Sequence, residues 1–284
     1  MQTDMPPKTA LTPGEALPPA LPQAHPAAGR PWVGFFVDIL ITVVMLLLVT
    51  FIGMAAWGVL RAVQLAASGG ANATDPDALT KAIGEPGMLT MLLVGSLSML
   101  AAAVIVYLWR RRATPAEKGV SRAAARQPRV WLQSIGLGAG LFAIATALMI
   151  SLDRLGYAPE PTNQQMLQQA LAFSPWLLLG VAVVAAPLSE ELLFRRVLFG
   201  RLWAAGKPVA GMIVTGLLFG LMHEIPGTGS QPWLPTAILL AFYTAMGMAM
   251  AWIYRRSGTL LAPILTHATN NLLACLLMIS GYGS

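Results

Sequence analysis

Glu190-Glu191-Leu-Leu-Phe-Arg195 places two adjacent carboxylates and a guanidinium inside the apolar run Trp176 to Phe199. A charge in hydrocarbon costs about 2.5–3.5 kcal/mol on insertion scales and is kept where it is paired or used. Two later apolar runs carry polar side chains at the same four-residue spacing, Phe219 with His223 and His267 with Asn271. Residues four apart share a helix face. Of the 3 histidines in the chain, two lie in these runs. If the three faces converge, they form a buried cluster of two Glu, two His and one Asn. Such a set suits hydrolysis. A carboxylate in low dielectric can serve as general base to a water, and an imidazole and a carboxamide can donate to an oxyanion.

Within the first run, Glu191 and Arg195 stand in acid-before-base order, which predicts an intrahelical ion pair. Glu190 is turned about 100° from Glu191 and has no local partner. Pro187 and Pro263 precede Glu190 and His267 by three and four residues. Each is expected to leave a carbonyl unpaired and bend its helix, opening space at that level. Plainer readings exist for every member. The Glu191–Arg195 pair can be structural, His223 taken alone reads as a satisfied core histidine, and Asn271 with Asn270 can be interhelical glue. Phe219 reads as packing, and Glu224 as a solvated group at the outer boundary.

The elements that must position these groups are helices in lipid. The chain has 284 residues, 56% hydrophobic and 11% charged, with a mean hydropathy of +0.65. A soluble domain carries roughly a quarter charged residues. A spanning helix needs about 20 apolar residues, and seven stretches come close: Val33–Leu60, Met88–Trp109, Trp131–Leu152, Trp176–Phe199, Val209–Met222, Trp233–Tyr254 and Leu260–Ile279. The expected fold is therefore all-α, a polytopic transmembrane helical bundle of about seven spans. The fifth stretch is short, ending near His223 or breaking near Pro226. Thr162–Phe173 reads as a short interfacial helix. Gly136 and Gly140 form a small-xxx-small face suited to close helix packing.

Residues 1–30 are Pro- and Ala-rich, include His25, and read as a disordered tail rather than a signal peptide. The expected transmembrane domain is 31–284, with the chemistry-bearing core at 175–280. The net charge of +6 does not imply nucleic acid, because the basic residues flank apolar segments. With the tail cytoplasmic, all but three of the 18 Lys and Arg fall inside, the exceptions being Arg61, Lys81 and Arg154. That asymmetry predicts a cytoplasmic N-terminus. Asp38 then lies near the inner end of the first span, where snorkelling would solvate it, and Arg196 and Arg201 are expected to face headgroups or to anchor the topology. The single Cys275 rules out an intramolecular disulfide.

Glu190-Glu191-x-x-x-Arg195, Phe219-x-x-x-His223 and His267-x-x-x-Asn271, in this order with one helix intervening, resemble the three motifs of the CPBP family. That family comprises the CAAX proteases and bacteriocin-processing enzymes, and includes Rce1-like prenyl endopeptidases and bacterial Abi proteins. The resemblance covers roughly Trp176 to Ile279. It implies an intramembrane endopeptidase acting on a membrane-associated protein or peptide, with membrane lipid as its surroundings. It also implies that Glu190 and His223 activate the attacking water and that His267 and Asn271 stabilise the oxyanion. Glu191 and Arg195 match the remaining motif positions and read as an orienting ion pair.

The family has been described both as metal-dependent and as metal-independent, and the residues permit either. No cofactor is certain. If a divalent metal such as zinc is present, Glu190, His223 and His267 are the expected ligands, with water as the fourth. The HExxH signature is absent. Composition points to a bacterial cytoplasmic membrane and makes a prenylated substrate doubtful. The competing classes are an ion- or proton-coupled transporter and a non-catalytic immunity or scaffold protein. One geometric condition stands out. At 1.5 Å per residue, His223 lies about 24 Å along its helix from Lys207 and His267 about 11 Å from Leu260. Their convergence requires a tilted or displaced fifth span.

Overall fold

The computed structural model describes residues 30–69, 76–157, 161–227 and 232–281. The expectations for the tail, including His25, lie outside the described residues. Ten helices follow in order among those described: α1 (Pro31–Ala67), α2 (Pro76–Ile83), α3 (Met88–Arg110), α4 (Pro115–Ala125), α5 (Pro128–Arg154), α6 (Gln164–Phe173), α7 (Pro175–Ala204), α8 (Pro208–His223), α9 (Trp233–Ser257) and α10 (Leu261–Ile279). No strand occurs among them. Six (α1, α3, α5, α7, α9 and α10) are long and apolar enough to cross a membrane, and α8 is a shorter apolar helix. The all-α, roughly seven-span architecture is as the hydropathy predicts, and the chain is an integral membrane protein.

Sequence signals account for the helix ends. Proline occupies the first position of α1, α4, α5, α7 and α8, where its missing N–H leaves no bond unmade. In α4, Thr114 and Glu117 form a reciprocal capping box. Helix α9 stops at Gly258, which takes the left-handed conformation (φ 71) that glycine adopts without steric cost. Helix α8 stops at His223 because Glu224 turns extended.

Helix α7 is the central post. Leu193, Phe194, Val197, Leu198 and Leu202 pack with Phe35 of α1, Val106 of α3, Phe219 of α8 and Met250 of α9 in one buried cluster. Around it, α8 lies along α9, α10 along α5, and α1 along α3. Large side chains such as Leu47 and Phe51 of α1 stay exposed, as expected of a lipid-facing surface. Helix α6 forms where the sequence places it, with Ala170 buried and Met166 and Leu171 packed on Leu178 and Cys275.

Close approach is made by glycines other than those anticipated. Cβ atoms at Gly136 and Gly140 would meet nothing within 4 Å. The contact of α5 with α10 is instead at Gly138, against the Thr266 carbonyl and Thr269. Two positions along a helix are about 200° apart, so 138 faces α10 while 136 and 140 face away. On α8, Gly216 and Gly220 admit α9, where the Leu240 carbonyl would lie 3.0 Å from a Cβ on Gly220.

The basic end of the bundle also departs from expectation. Asp38 is fully buried and does not snorkel. It takes Arg110 Nε at 2.9 Å and Arg201 Nε at 2.6 Å. Arg196 is buried too and forks onto Glu117 at 3.1 and 2.9 Å. Neither Arg196 nor Arg201 is free for headgroups, because each satisfies an acid brought from another helix. Burial, with repulsion from Arg201 and Arg196, pulls the Arg111 guanidinium down to about 10. Arg111 Nη2 donates to the Gly200 carbonyl at 3.0 Å.

Candidate active site

Helix α7 is not a regular α-helix. It is π-helical over Gly180–Ala185 and Leu192–Phe199, with an α-helical stretch, Ala186–Glu191, between. Pro187 lies in that middle stretch. Lacking an N–H, it cannot donate to the carbonyl five residues back, that of Ala182, as the π register would ask. Asn271 of α10 supplies the donor, its Nδ2 lying 2.8 Å from Ala182 O. Asn270 Nδ2 donates to Asn271 Oδ1 at 3.0 Å, which fixes the orientation of the Asn271 amide. The carbonyl that Pro187 is expected to leave without a backbone donor is therefore taken up by a side chain of α10. Pro263 is in the first turn of α10, where a proline breaks no intrahelical bond.

Glu190 and Glu191 end the α-helical stretch and diverge as the helix geometry predicts. Glu191 is fully buried and its oxygens are engaged. Arg195 Nη2 donates to Oε1 at 3.3 Å, and His267 Nδ1 lies 3.0 Å from the same oxygen. Arg195 Nε lies 2.8 Å from Oε2 in an ion contact outside hydrogen-bond alignment. The guanidinium is itself fully buried, with Cζ 4.9 Å from the Phe219 ring centroid. Facing an aromatic ring adds attraction for a desolvated cation.

Glu190 points elsewhere. Its Oε2 is buried with no hydrogen-bond partner and faces His223 Nε2 at 3.8 Å. His223 Nδ1 lies 2.9 Å from the Phe219 carbonyl. A carbonyl only accepts, so Nδ1 carries the proton, and in the neutral ring Nε2 holds the lone pair. The imidazole is clamped between two aromatic faces, Phe219 at 4.3 Å and Tyr243 of α9 at 4.8 Å, at interplanar angles of 32° and 25°. The Phe219 ring also meets His267 edge to face at 5.9 Å. The Phe219 ring thus touches both imidazoles, so the difference in counted depth does not keep His223 and His267 from sharing a neighbour.

The structure thus brings Glu190 to His223, and Glu191 to Arg195 and His267, with Asn271 on the α7 backbone about two turns before them. Several participants carried no signal in the sequence. Tyr243 sits in an apolar span whose pattern marks nothing, and Ala182 contributes only a carbonyl. Phe219 does pack, but its carbonyl also sets the His223 tautomer. Glu224 is buried, not solvated. It accepts from Thr162 N at 2.9 Å and Thr162 Oγ1 at 2.8 Å, tying the segment before α6 to the end of α8.

The donors expected for zinc do not stand as one set. Glu190 with His223 and Glu191 with His267 form separate pairs, and His267 spends Nδ1 on Glu191. Among the described residues, no group of three His, Cys, Asp or Glu side chains is gathered to hold a metal ion. As placed, Glu190, His223 and His267 do not fit a three-ligand centre.

Residues 172–273 match the family model described as Type II CAAX prenyl endopeptidase Rce1-like, a span that holds all three motifs. Over 136 residues the chain is 26% identical to the Bacillus subtilis protein titled "Putative membrane peptidase YdiL", covering 48% of this chain and 51% of that protein. Over 95 residues it is 33% identical to the Lactococcus lactis subsp. lactis protein titled "UPF0177 protein YxdF", covering 34% and 45% respectively. The chain spans about half the length of the curated relatives it matches. No solved structure matches it.

Proposed function

We propose that this chain, which carries an Rce1-like domain over residues 172–273, is an intramembrane endopeptidase cleaving a membrane-associated protein or peptide. The observation that carries this reading is the unpartnered Glu190 Oε2 facing the lone pair of His223 Nε2 at 3.8 Å. That separation is too long for a direct hydrogen bond and suits a bridging water. Such a water donates one proton to each acceptor and keeps its own lone pairs free to attack.

In the reaction, the water oxygen bonds to the scissile carbonyl carbon as Glu190 takes its proton. The carbonyl oxygen becomes an oxyanion. Asn271 Nδ2 has a second hydrogen not engaged by Ala182, which can donate to it. For His267 Nε2 to donate as well while Nδ1–H faces Glu191, the ring must be an imidazolium. The Glu191 carboxylate holds that charge. With Arg195, the three groups then total one positive charge, which favours an anion beside them. The C–N bond breaks as Glu190 returns its proton to the leaving nitrogen. No step is routed through a metal. The catalytic residues in this reading are Glu190, His223, His267 and Asn271, and Glu191 and Arg195 position them.

The test compares peptide termini in membranes of cells expressing the wild-type chain or Glu190→Gln at matched levels. Loss of a general base costs about 10²–10⁴-fold in rate, so termini produced by the wild type should vanish in the variant. Full cleavage by Glu190→Gln would end the assignment.

A further inference from the structure

Helix α4, which joins the spans α3 and α5, is fastened to the bundle at two points. Glu117 receives the Arg196 fork, and Ser121 Oγ donates to Thr259 Oγ1 at 3.0 Å. Between these points α4 stands off the bundle over a cavity of about 380 Å³, within the range of roughly 300–1,000 Å³ common for ligand pockets. Its bundle wall combines Leu192, Trp203 and Leu260 with the rings of Tyr107 and Tyr254 and with Arg196, which is held by Glu117. Ala116 of α4 and Gly258 across from it are too small to fill the space.

The α4 wall carries Lys118 and Arg122. These are four residues apart on one helix face, an arrangement in which like charges destabilise each other. Neither side chain has an ion-pair or hydrogen-bond partner among the described residues. Glu117 is the single acid in the lining, and Arg196 already takes up its charge. Two cations without a carboxylate partner, half-buried Lys118 and exposed Arg122, therefore stand beside the Leu192, Trp203 and Leu260 side chains, on a helix that connects two spans. Basic pockets at such positions suit anionic lipid headgroups.

We propose that this cavity binds an anionic phospholipid. Its phosphate lies between Lys118 and Arg122, and the start of an acyl chain lies along Leu192, Trp203 and Leu260. An amphiphile satisfies both walls, whereas a free anion satisfies only one. This site is separate from the Glu190–His223 centre and does not depend on the peptidase reading.

The test uses the full chain in nanodiscs in which phosphatidylglycerol replaces phosphatidylcholine stepwise, with lipid retained on the purified protein read by native mass spectrometry. The wild type should retain phosphatidylglycerol at least tenfold over phosphatidylcholine. That preference should vanish in Lys118→Gln/Arg122→Gln and survive in the charge-conserving Lys118→Arg/Arg122→Lys. Ala116→Leu, which fills the cavity and keeps both cations, should also lose retention. Equal retention by the glutamine pair, or by Ala116→Leu, overturns the site. Displacement of the lipid by equimolar inorganic phosphate overturns the lipid assignment in favour of a free anion.

Discussion

Asn271 Nδ2 donates to the Ala182 carbonyl at 2.8 Å, so a motif residue of α10 closes the gap in the α7 backbone that Pro187 leaves open. One side chain thereby joins the two helices that carry Glu190 and His267.

Asn271→Ala should therefore act on stability as well as on turnover. It strands a buried carbonyl, which costs about 1–3 kcal/mol, and removes the remaining N–H proposed for the oxyanion. Unfolding in detergent should shift by that amount, with cleavage falling much further. Pro187→Ala restores a backbone donor, so the Asn271→Ala penalty should shrink in that background. An unchanged penalty would show that Asn271 does not compensate for the proline.

The buried pair of Glu191 and Arg195 predicts strong coupling. Removing one partner of a buried ion pair costs about 3–5 kcal/mol, whereas replacing both by apolar groups is often tolerated. Arg195→Met should destabilise severely, and Glu191→Leu/Arg195→Met less than the sum of the singles. A double-mutant cycle on unfolding measures this. The double variant should still be inactive, because His267 loses its acceptor.

Tyr243 holds His223 by its ring face. Aromatic contacts of this kind are worth about 0.5–1.5 kcal/mol, up to roughly tenfold in rate. Tyr243→Phe should keep kcat, and Tyr243→Leu should lower kcat by up to that factor with KM little changed. An equal loss in both variants would point to the hydroxyl instead.

Acid should loosen α4 before the spans. Burial by itself pushes the Glu117 carboxyl up, but hydrogen bonds from Arg196 and Thr114 outweigh it and hold the group below its ordinary value of 4.5. With the folded value depressed, the stabilisation is fully present above the ordinary value and is lost as pH falls beneath it. Hydrogen exchange over residues 115–125 should rise in that window. Glu117→Gln should exchange faster at neutral pH and show no acid step.

Spans and the three motif spacings were legible in the sequence because they are local. Hydropathy is a property of a stretch, and residues four apart share a face whatever surrounds the helix, so the Glu191–Arg195 pair could be read directly. The rotation of each helix about its axis could not be read in this way. Lipid and protein interior are equally apolar, so no periodic stripe told which face of α5 met α10, and Gly138 rather than Gly136 or Gly140 made the contact. Partner choice was likewise decided by packing. Asp38 is claimed by arginines from α3 and α7, His267 by Glu191, and His223 is held by a Tyr243 face that no motif announced. A buried charge must find a partner in low dielectric, but which partner is within reach depends on helix level and rotation, and only the tertiary structure sets these.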